Sequence, residues 1–170
     1  MEIREAALAD AEVLARVHVL TWRDAYRGLV PDDVLDSLSI DQRTKVWETI
    51  LADQRLDAHS WVAKSGRDVI GFVYAGRSRD EDTTEEVGEV FSMYVLPEHQ
   101  RSGIGSALLE VASNWLFERF RSARLWVLED NAAGRQFYER SGWRTDAEVK
   151  EIAMGAELLR EVRYTSESAS

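Results

Sequence analysis

The chain has 170 residues, of which 45% are hydrophobic and 31% are charged, a balance that is ordinary for one compact globular domain. It contains no cysteine, which excludes a disulfide framework, a thiolate zinc site and a thiol nucleophile. The net charge of −10 opposes nonspecific nucleic-acid binding and suits a basic partner such as an amine, or serves solubility alone.

The start of the chain and its apolar runs bear on its location. Met1–Glu5 is charged, unlike a secretory signal, and no apolar run approaches the roughly 20 residues that span a bilayer. We therefore expect a cytoplasmic protein that binds neither membrane nor nucleic acid. His18, His59 and His99 are scattered without the spacing of metal ligands, so we expect no metal site.

The N-terminal half is predicted to contain a strand, three helices and a hairpin. Asp10 and Ser39 are residue types that cap helix N-termini, and Pro31 is typical of a first helical position. The predicted elements are a strand over 2–6, helices over 10–26, from 31 and from 39 to about 51, and strands over 60–64 and 69–75. The charged segment 76–86 is expected to be an exposed, mobile loop.

The C-terminal half is predicted to alternate strands and helices. The predicted elements are a strand over 87–96, a helix from 104, a strand over 125–128, a helix from 131 to 141, and strands over 143–150 and 158–164. We expect residues 1–164 to form a single domain and residues 165–170 to be a disordered tail. The order β-α-α-α-β-β-β-α-β-α-β-β predicts an α/β (α+β) domain with a mixed sheet of about seven strands.

Gln100–Ser106 is a turn with two glycines that leads from a predicted strand directly into a predicted helix. Ile104, Leu108 and Val111 recur along one face of that helix. Backbone N–H groups at such a helix start have no intrahelical partner, and the helix dipole adds partial positive charge there. The turn therefore predicts a binding seat for a phosphate or pyrophosphate.

Three phosphate-binding patterns can be compared with this turn. A P-loop requires a lysine after its last glycine, and none follows here, whereas the dinucleotide fingerprint requires a third glycine where Leu108 stands. The run Gln100-Arg101-Ser102-Gly103-Ile104-Gly105 resembles the Q/R-x-x-G-x-G/A pyrophosphate motif of the GNAT superfamily of N-acetyltransferases. A plain strand-to-helix turn, with glycines only for tightness, is the alternative.

A second block carries the same resemblance. Asn131-Ala132-Ala133, followed by Phe137-Tyr138-Glu139-Arg140-Ser141-Gly142-Trp143, is similar to the N-x-x-A…F/Y-Y-x-x-x-G-F block of that superfamily. The resemblance implies the GNAT fold, a mixed sheet splayed between its fourth and fifth strands with helices on both faces. It also implies acetyl-CoA as co-substrate. The cofactor-binding residues that it implies are Met93, Tyr94, Val95, Gln100, Arg101, Ser102, Gly103, Ile104, Gly105, Ser106, Asn131 and Tyr138.

Tyr138 is the candidate general acid. It falls at the position that serves this role in many GNAT enzymes, and a tyrosine with a pKa of about 10 holds at neutral pH a proton that it can pass to a departing thiolate. The alternative is that Tyr138 only packs on its helix. Asn131 is expected to cap that helix, with or without a further contact to the pantetheine arm or to a catalytic water.

Glu89 is the candidate general base, because some GNAT members have their catalytic glutamate at this position. An ordinary solvated glutamate is the alternative, and Glu129 and Glu86 are weaker candidates. Strand alternation would put Glu89 on one otherwise apolar face with Val87, Phe91, Met93 and Val95. The resemblance also implies that a backbone N–H near Met93–Val95, where the family's strand has a bulge, stabilises the oxyanion.

Trp22 and Tyr26 are the candidate substrate-binding residues. They lie one helical turn apart in the region that forms the acceptor wall of GNAT enzymes, where aromatic rings could hold an amine, although a packing role for Trp22 is the alternative. The implied activity is acetyl transfer to a small-molecule or peptide amine by direct attack. A non-catalytic module that binds acetyl-CoA and a transferase for a longer acyl chain are the competing hypotheses. A homodimer through the last strands is a further option.

Overall fold

The computed structural model describes residues 1–53 and 57–168, which form a seven-stranded mixed sheet with helices on both faces. The strands are β1 (Glu2–Glu5), β2 (Ala58–Ser65), β3 (Asp68–Arg77), β4 (Val87–Val95), β5 (Ser122–Leu128), β6 (Arg144–Met154) and β7 (Glu157–Glu167). The helices are α1 (Ala11–Ala25), α2 (Asp32–Ser37), α3 (Ile40–Ala52), α4 (Ile104–Phe117) and α5 (Ala132–Arg140). This element order confirms the predicted one. Within the described residues, no helix is long and apolar enough to cross a membrane.

The two predicted N-terminal helix caps have different outcomes. The Ser39 hydroxyl accepts a hydrogen bond of 3.2 Å from the Gln42 amide, so Ser39 caps α3 as predicted. Asp10 does not cap α1, because its carboxylate accepts instead from the Ala7 amide at 2.7 Å and from the Arg4 guanidinium at 2.7 and 2.8 Å. Asp10 therefore joins β1 to the 3₁₀ turn before α1, and that sequence prediction is wrong.

The sheet opens between β4 and β5, as the resemblance implied. Across the sheet the strands follow the order β1-β2-β3-β4-β5-β7-β6. The parallel pairing of β4 with β5 runs only from Val87 opposite Ser122 to Val90 opposite Leu125. Beyond that point the two strands separate, and each keeps its antiparallel partner, β3 or β7. Beyond Val90 and Leu125, the facing edges of β4 and β5 are therefore not paired with each other.

A β-bulge in β4 changes which residues share a face. The register with β3 shifts between Val90 and Ser92, so Phe91 is the extra residue. Val90 and Met93 pack in the cluster under α4, whereas Phe91 packs with α1 and α3 on the opposite face. The predicted common face for Glu89, Phe91, Met93 and Val95 is therefore wrong. The bulge also lies before Met93, earlier than the resemblance implied.

The charged segment between β3 and β4 is held against the sheet at its start. Ser78 is buried, and the Asp80 carboxylate accepts from Trp126 Nε1 at 3.0 Å. Arg124 and Arg163, both buried, form ion pairs with Asp82 at 2.7 and 2.9 Å. The expectation of an exposed loop is therefore wrong for Ser78 and Asp80. The Asp82 side chain is 58% exposed, as expected, but it is held to the sheet because the buried arginines need carboxylates as partners.

The C-terminal strand is longer than predicted. Residues 165–167 continue β7 and pair with the first residues of β5, Glu167 lying opposite Ser122. The expected disordered tail is therefore wrong for 165–167, since these residues gain ladder hydrogen bonds from β5. Residues 169 and 170 of that predicted tail lie outside the described residues.

Candidate active site

The turn between β4 and α4 has the backbone shape of an anion-binding loop. Gln100 Nε2 donates a hydrogen bond of 3.0 Å to the Val95 carbonyl, which ties the turn to the end of β4. Arg101 and Gly103 both have left-handed backbone, with φ of 57° and 86°. Left-handed residues within a turn let successive N–H groups point into one concavity. Gly103 suits its position because a glycine adopts this φ without strain.

The first turn of α4 leaves its backbone donors available. The first backbone hydrogen bond of this helix within the described residues is donated by the Ala107 amide to the Gly103 carbonyl, at 3.1 Å. Gly103 has no side chain to cap the helix, and α4 has no acidic residue in its first turn. Within the described residues the amides of Ile104–Ser106 therefore have no backbone acceptor, and no carboxylate of that turn opposes the helix dipole.

The second motif lies directly beside this turn. A Cβ added at Gly105 would be 3.4 Å from the Phe137 ring, an ordinary van der Waals distance, so α4 and α5 pack closely at this point. Asn131 Oδ1 accepts a hydrogen bond of 3.0 Å from the Gly134 amide, and Asn131 therefore caps α5 as predicted. The start of α4 thus contacts α5 at Phe137, which brings the two sequence motifs together.

Three tyrosines from different elements affect one another electrostatically at the gap between β4 and β5. Tyr94 packs with α1 and α3 on one face of the sheet, whereas Tyr138 packs with the α4 cluster on the other. Burial raises the pKa of Tyr138, and Tyr94 raises this pKa further. Burial likewise raises the pKa of Tyr94 to about 12. Burial has the largest effect on Tyr26 and raises its pKa, and Tyr94 and Tyr138 raise that pKa further. All three phenols are therefore neutral at neutral pH.

The predicted aromatic wall is present at the end of α1. The rings of Trp22 and Tyr26 meet edge to face with their centres 4.9 Å apart. His18 stacks on Trp22 at 5.5 Å and meets Tyr94 at 4.9 Å. Neither nitrogen of the buried His18 ring has a hydrogen-bond partner in the described chain. Burial lowers the pKa of His18 to about 3, so its imidazole is neutral and belongs to the apolar side of the wall.

Comparison with known proteins identifies the family. The family model described as "Acetyltransferase (GNAT) family" matches residues 19–143. The chain belongs to this family. YuaI, an uncharacterised N-acetyltransferase of Bacillus subtilis, is 35% identical over 131 residues, which cover 76% of this chain and 72% of the relative. The chain is accordingly an acyltransferase of the N-acetyltransferase type.

A relative and a solved structure from Thermoplasma acidophilum extend the comparison to nearly the whole chain. A spermidine N(1)-acetyltransferase is 24% identical over 170 residues, covering 98% of this chain and 99% of that protein. The crystal structure of PaiA N-acetyltransferase in complex with coenzyme A superposes with a TM-score of 0.73 at 22% identity. It covers 94% of this chain and 96% of that one. This structural likeness confirms the GNAT fold.

Glu89 occupies a closed position in this acetyltransferase. Only 8% of the residue is exposed. One carboxylate oxygen, Oε2, accepts from the Ser78 hydroxyl and from the Arg79 amide, both at 3.0 Å. Burial raises the pKa of Glu89, and these two hydrogen bonds oppose the shift. Glu89 also lies where β4 still pairs with β5, whereas Tyr138 interacts with Tyr94 beyond that point.

Three side chains on the α1 side of the GNAT sheet were missed by the sequence analysis. Lys150 Nζ lies 3.4 Å from Glu161 Oε2 and 4.2 Å from the centre of the Trp126 ring. Lys150 and Glu161 are direct partners across β6 and β7, and Trp126 lies on the adjacent β5. Opposite charges in two consecutive predicted strands were the available signal. That signal cannot show which face of the sheet the pair occupies.

Proposed function

We propose that this protein transfers an acetyl group from acetyl-CoA to a primary amine by direct attack of the amine on the thioester. The observation that carries the proposal is the packing of α4 on α5. Gly105, in the donor-rich turn at Gln100–Ser106, lies against the Phe137 ring, whose centre is 5.2 Å from that of the neutral Tyr138. A diphosphate suits the first feature and a departing thiolate suits the second. The family assignment supports both.

The proposed reaction forms one C–N bond and breaks one C–S bond. The amine nitrogen attacks the thioester carbonyl, the carbonyl oxygen carries the negative charge of the tetrahedral intermediate, and the thiolate then leaves. Backbone N–H groups at Met93–Val95 are proposed to stabilise that oxyanion, because β4 has no β5 partner beyond Val90. Tyr138 donates the proton that the thiolate takes up.

Glu89 is proposed as the group that accepts the proton of the attacking amine. Its pKa is raised by burial, which brings a carboxylate nearer to the range that general bases use. Since Oε2 is held by Ser78 and Arg79, the second oxygen is the one that would take the proton, through a water chain. Asn131 is proposed to hold the α5 start beside the pantetheine arm, and Trp22 and Tyr26 to contact the acceptor.

The acceptor is proposed to be a cationic small molecule or peptide amine. The net charge of −10 favours the approach of a cation, and the aromatic wall offers rings over which an ammonium can lie. The relative that acts on spermidine supports the choice of diamines and polyamines for a first panel.

A thiol-release assay tests the proposal. Purified protein is supplied with acetyl-CoA and a panel of primary amines, and free thiol is followed by a colorimetric reagent. We expect amine-dependent release, with slower release from propionyl-CoA and succinyl-CoA. Binding of acetyl-CoA by calorimetry without turnover on any amine would favour the non-catalytic module. Faster turnover of a longer thioester would favour the alternative acyl preference.

A further inference from the structure

An ammonium group is already held on the α1 side of the sheet, where Trp22 and Tyr26 lie, beside the gap between β4 and β5. We call this the acceptor side. The Lys150 ammonium lies over the face of Trp126, 4.2 Å from the ring centre, and 3.4 Å from a Glu161 carboxylate oxygen. The Trp126 ring is held at its edge, because its Nε1 donates to the Asp80 carboxylate at 3.0 Å. An aromatic face and a carboxylate that converge on one cation are the elements of an ammonium subsite.

The two sides of this ion pair differ in exposure. The Glu161 side chain is 19% exposed, whereas the Lys150 side chain is 40% exposed. Burial raises the pKa of Glu161 and the charge of Lys150 opposes that shift, so the carboxylate benefits from a cation beside it. A half-exposed lysine contributes little to stability through such a pair and can leave it at small cost. Trp126 and Glu161 therefore form a cradle for an ammonium group, held in place at Trp126. Its occupant, Lys150, is replaceable.

The cradle belongs to the same space as the aromatic wall. Glu161 lies opposite Leu128, the last residue of β5, where the strand borders the gap. Leu128 packs in one cluster with Trp22 and Tyr26. The charge of Glu161 also reaches Tyr26 and Tyr94, since it raises the pKa of both phenols after the larger effect of burial. A ligand that contacts the wall is thus close to this carboxylate.

We propose, on the basis of the acetyl transfer proposed above, that Glu161 and Trp126 hold the second, non-reacting ammonium of a diamine acceptor. Lys150 fills this subsite when the acceptor is absent. A diamine places one amine at the gap, where the thioester lies, and exchanges its other ammonium for that of Lys150. A monoamine of the same chain length has no second ammonium to bind to Glu161 and Trp126. The subsite therefore selects diamines over monoamines.

Calorimetry with diaminobutane and butylamine tests the subsite without requiring turnover. Each amine is titrated into the wild-type chain in the presence of coenzyme A. The same titrations are made with Glu161→Gln, with Lys150→Met and with Glu157→Gln, a control that changes an exposed carboxylate at the start of β7. We expect the wild type and the control to bind the diamine about tenfold more tightly than the monoamine. Glu161→Gln should abolish that preference, and Lys150→Met should enlarge it.

Three results would overturn the proposal. A diamine preference that survives Glu161→Gln would place the second ammonium elsewhere. Unchanged diamine affinity in Lys150→Met, which keeps Glu161, would remove the role of Lys150 as occupant. If Glu161→Gln keeps its calorimetric affinity for the diamine but loses thiol release equally with both amines, Glu161 would be a proton acceptor instead. Failure of acetyl transfer is distinguishable, because diamine binding would then persist without thiol release.

Discussion

The turn proposed to bind the diphosphate and the region proposed to bind the acceptor differ in what builds them. The turn at Gln100–Ser106 is made of backbone groups from one continuous segment, shaped by the left-handed residues Arg101 and Gly103. The acceptor side is made of side chains from α1, β4, β5, β6 and β7, brought together by the strand order. A contiguous backbone site leaves a short pattern in the sequence, whereas a site assembled by topology leaves none. If the turn serves cofactor binding and the other region serves catalysis, substitutions in the two regions should change different measured quantities.

The largest expected effect is that of Tyr138→Phe, which removes the proposed acid and leaves the turn intact. We expect kcat to fall about 100-fold or more, because a positioned proton donor contributes that much to such reactions. Affinity for acetyl-CoA should stay within about twofold, since the amides of Ile104–Ser106 are unchanged. Thiol release measured across pH, together with calorimetry on acetyl-CoA, gives both quantities.

Tyr164→Phe is the matched control for this substitution. The Tyr164 hydroxyl donates to Glu139 at 2.6 Å and accepts from Arg135 at 3.2 Å, and its ring centre is 6.3 Å from that of Tyr138. Its loss should lower the free energy of unfolding by roughly 1–2 kcal/mol with little change in kcat. Equal rates in Tyr138→Phe and wild type at every pH would contradict the acid assignment.

The next largest effect concerns the turn. Gly103→Val places a β-branched residue at a φ of 86°, which strains the loop and misdirects its amides. We expect acetyl-CoA affinity to fall about 100-fold, the equivalent of two lost charge-assisted hydrogen bonds. The control is Gly66→Val, in the turn between β2 and β3, where φ is 61° and no atom lies within 4 Å of an added Cβ, as at Gly103. Both variants should lose stability by roughly 1–3 kcal/mol.

Calorimetry with acetyl-CoA and thermal unfolding together separate the two glycines. Only Gly103→Val should lose affinity, because Gly66 lies in the turn between β2 and β3, outside the phosphate-binding segment. A Gly103→Val chain that binds acetyl-CoA like the wild type would show that the turn is a plain connection. The proposed separation of cofactor binding in the turn from chemistry in the other region would then be wrong.

Local patterns in the sequence predicted the elements and the caps that arise from neighbouring residues. The element order, the Ser39 cap and the Asn131 cap depend on contacts within a few positions of the chain. Asp10 failed as a cap because Arg4, on β1, competes for its carboxylate. The β4 bulge at Phe91 has no signal of its own, and one extra residue there reversed the faces predicted for the rest of the strand.

Long-range pairing accounts for most of what the sequence did not predict. Arg163 binds Asp82, which is 81 positions away, and this pair holds the predicted free loop to the sheet. Residues 165–167 are polar and were expected to be disordered, yet β5 offers them an edge to pair with. The proposed ammonium subsite needs Trp126 and Glu161 on one face of adjacent strands, which only the register shows. By contrast, Trp22 and Tyr26 were identified because they are neighbours on one helix.

The smallest effect concerns the apolar side of the wall and appears in stability. The folded chain holds the pKa of His18 at about 3 through burial, whereas an unfolded histidine has a pKa of about 6.5. Below about pH 6.5 the unfolded state therefore binds a proton that the folded state excludes, and stability falls as the pH falls. Between about pH 7.5 and 5 this group alone should cost roughly 2 kcal/mol.

His18→Phe should remove that part of the pH dependence, because phenylalanine can keep the stacking on Trp22 without a titrating nitrogen. Urea unfolding at several pH values measures it, and the difference between variant and wild type cancels the contributions of the carboxylates common to both. His99→Phe, in the 3₁₀ turn after β4, is the control and should follow the wild-type curve. Parallel curves for His18→Phe and wild type would mean that the folded chain admits the proton. The wall would then carry its own positive charge and oppose a cationic acceptor, which would also weaken the proposed preference for diamines.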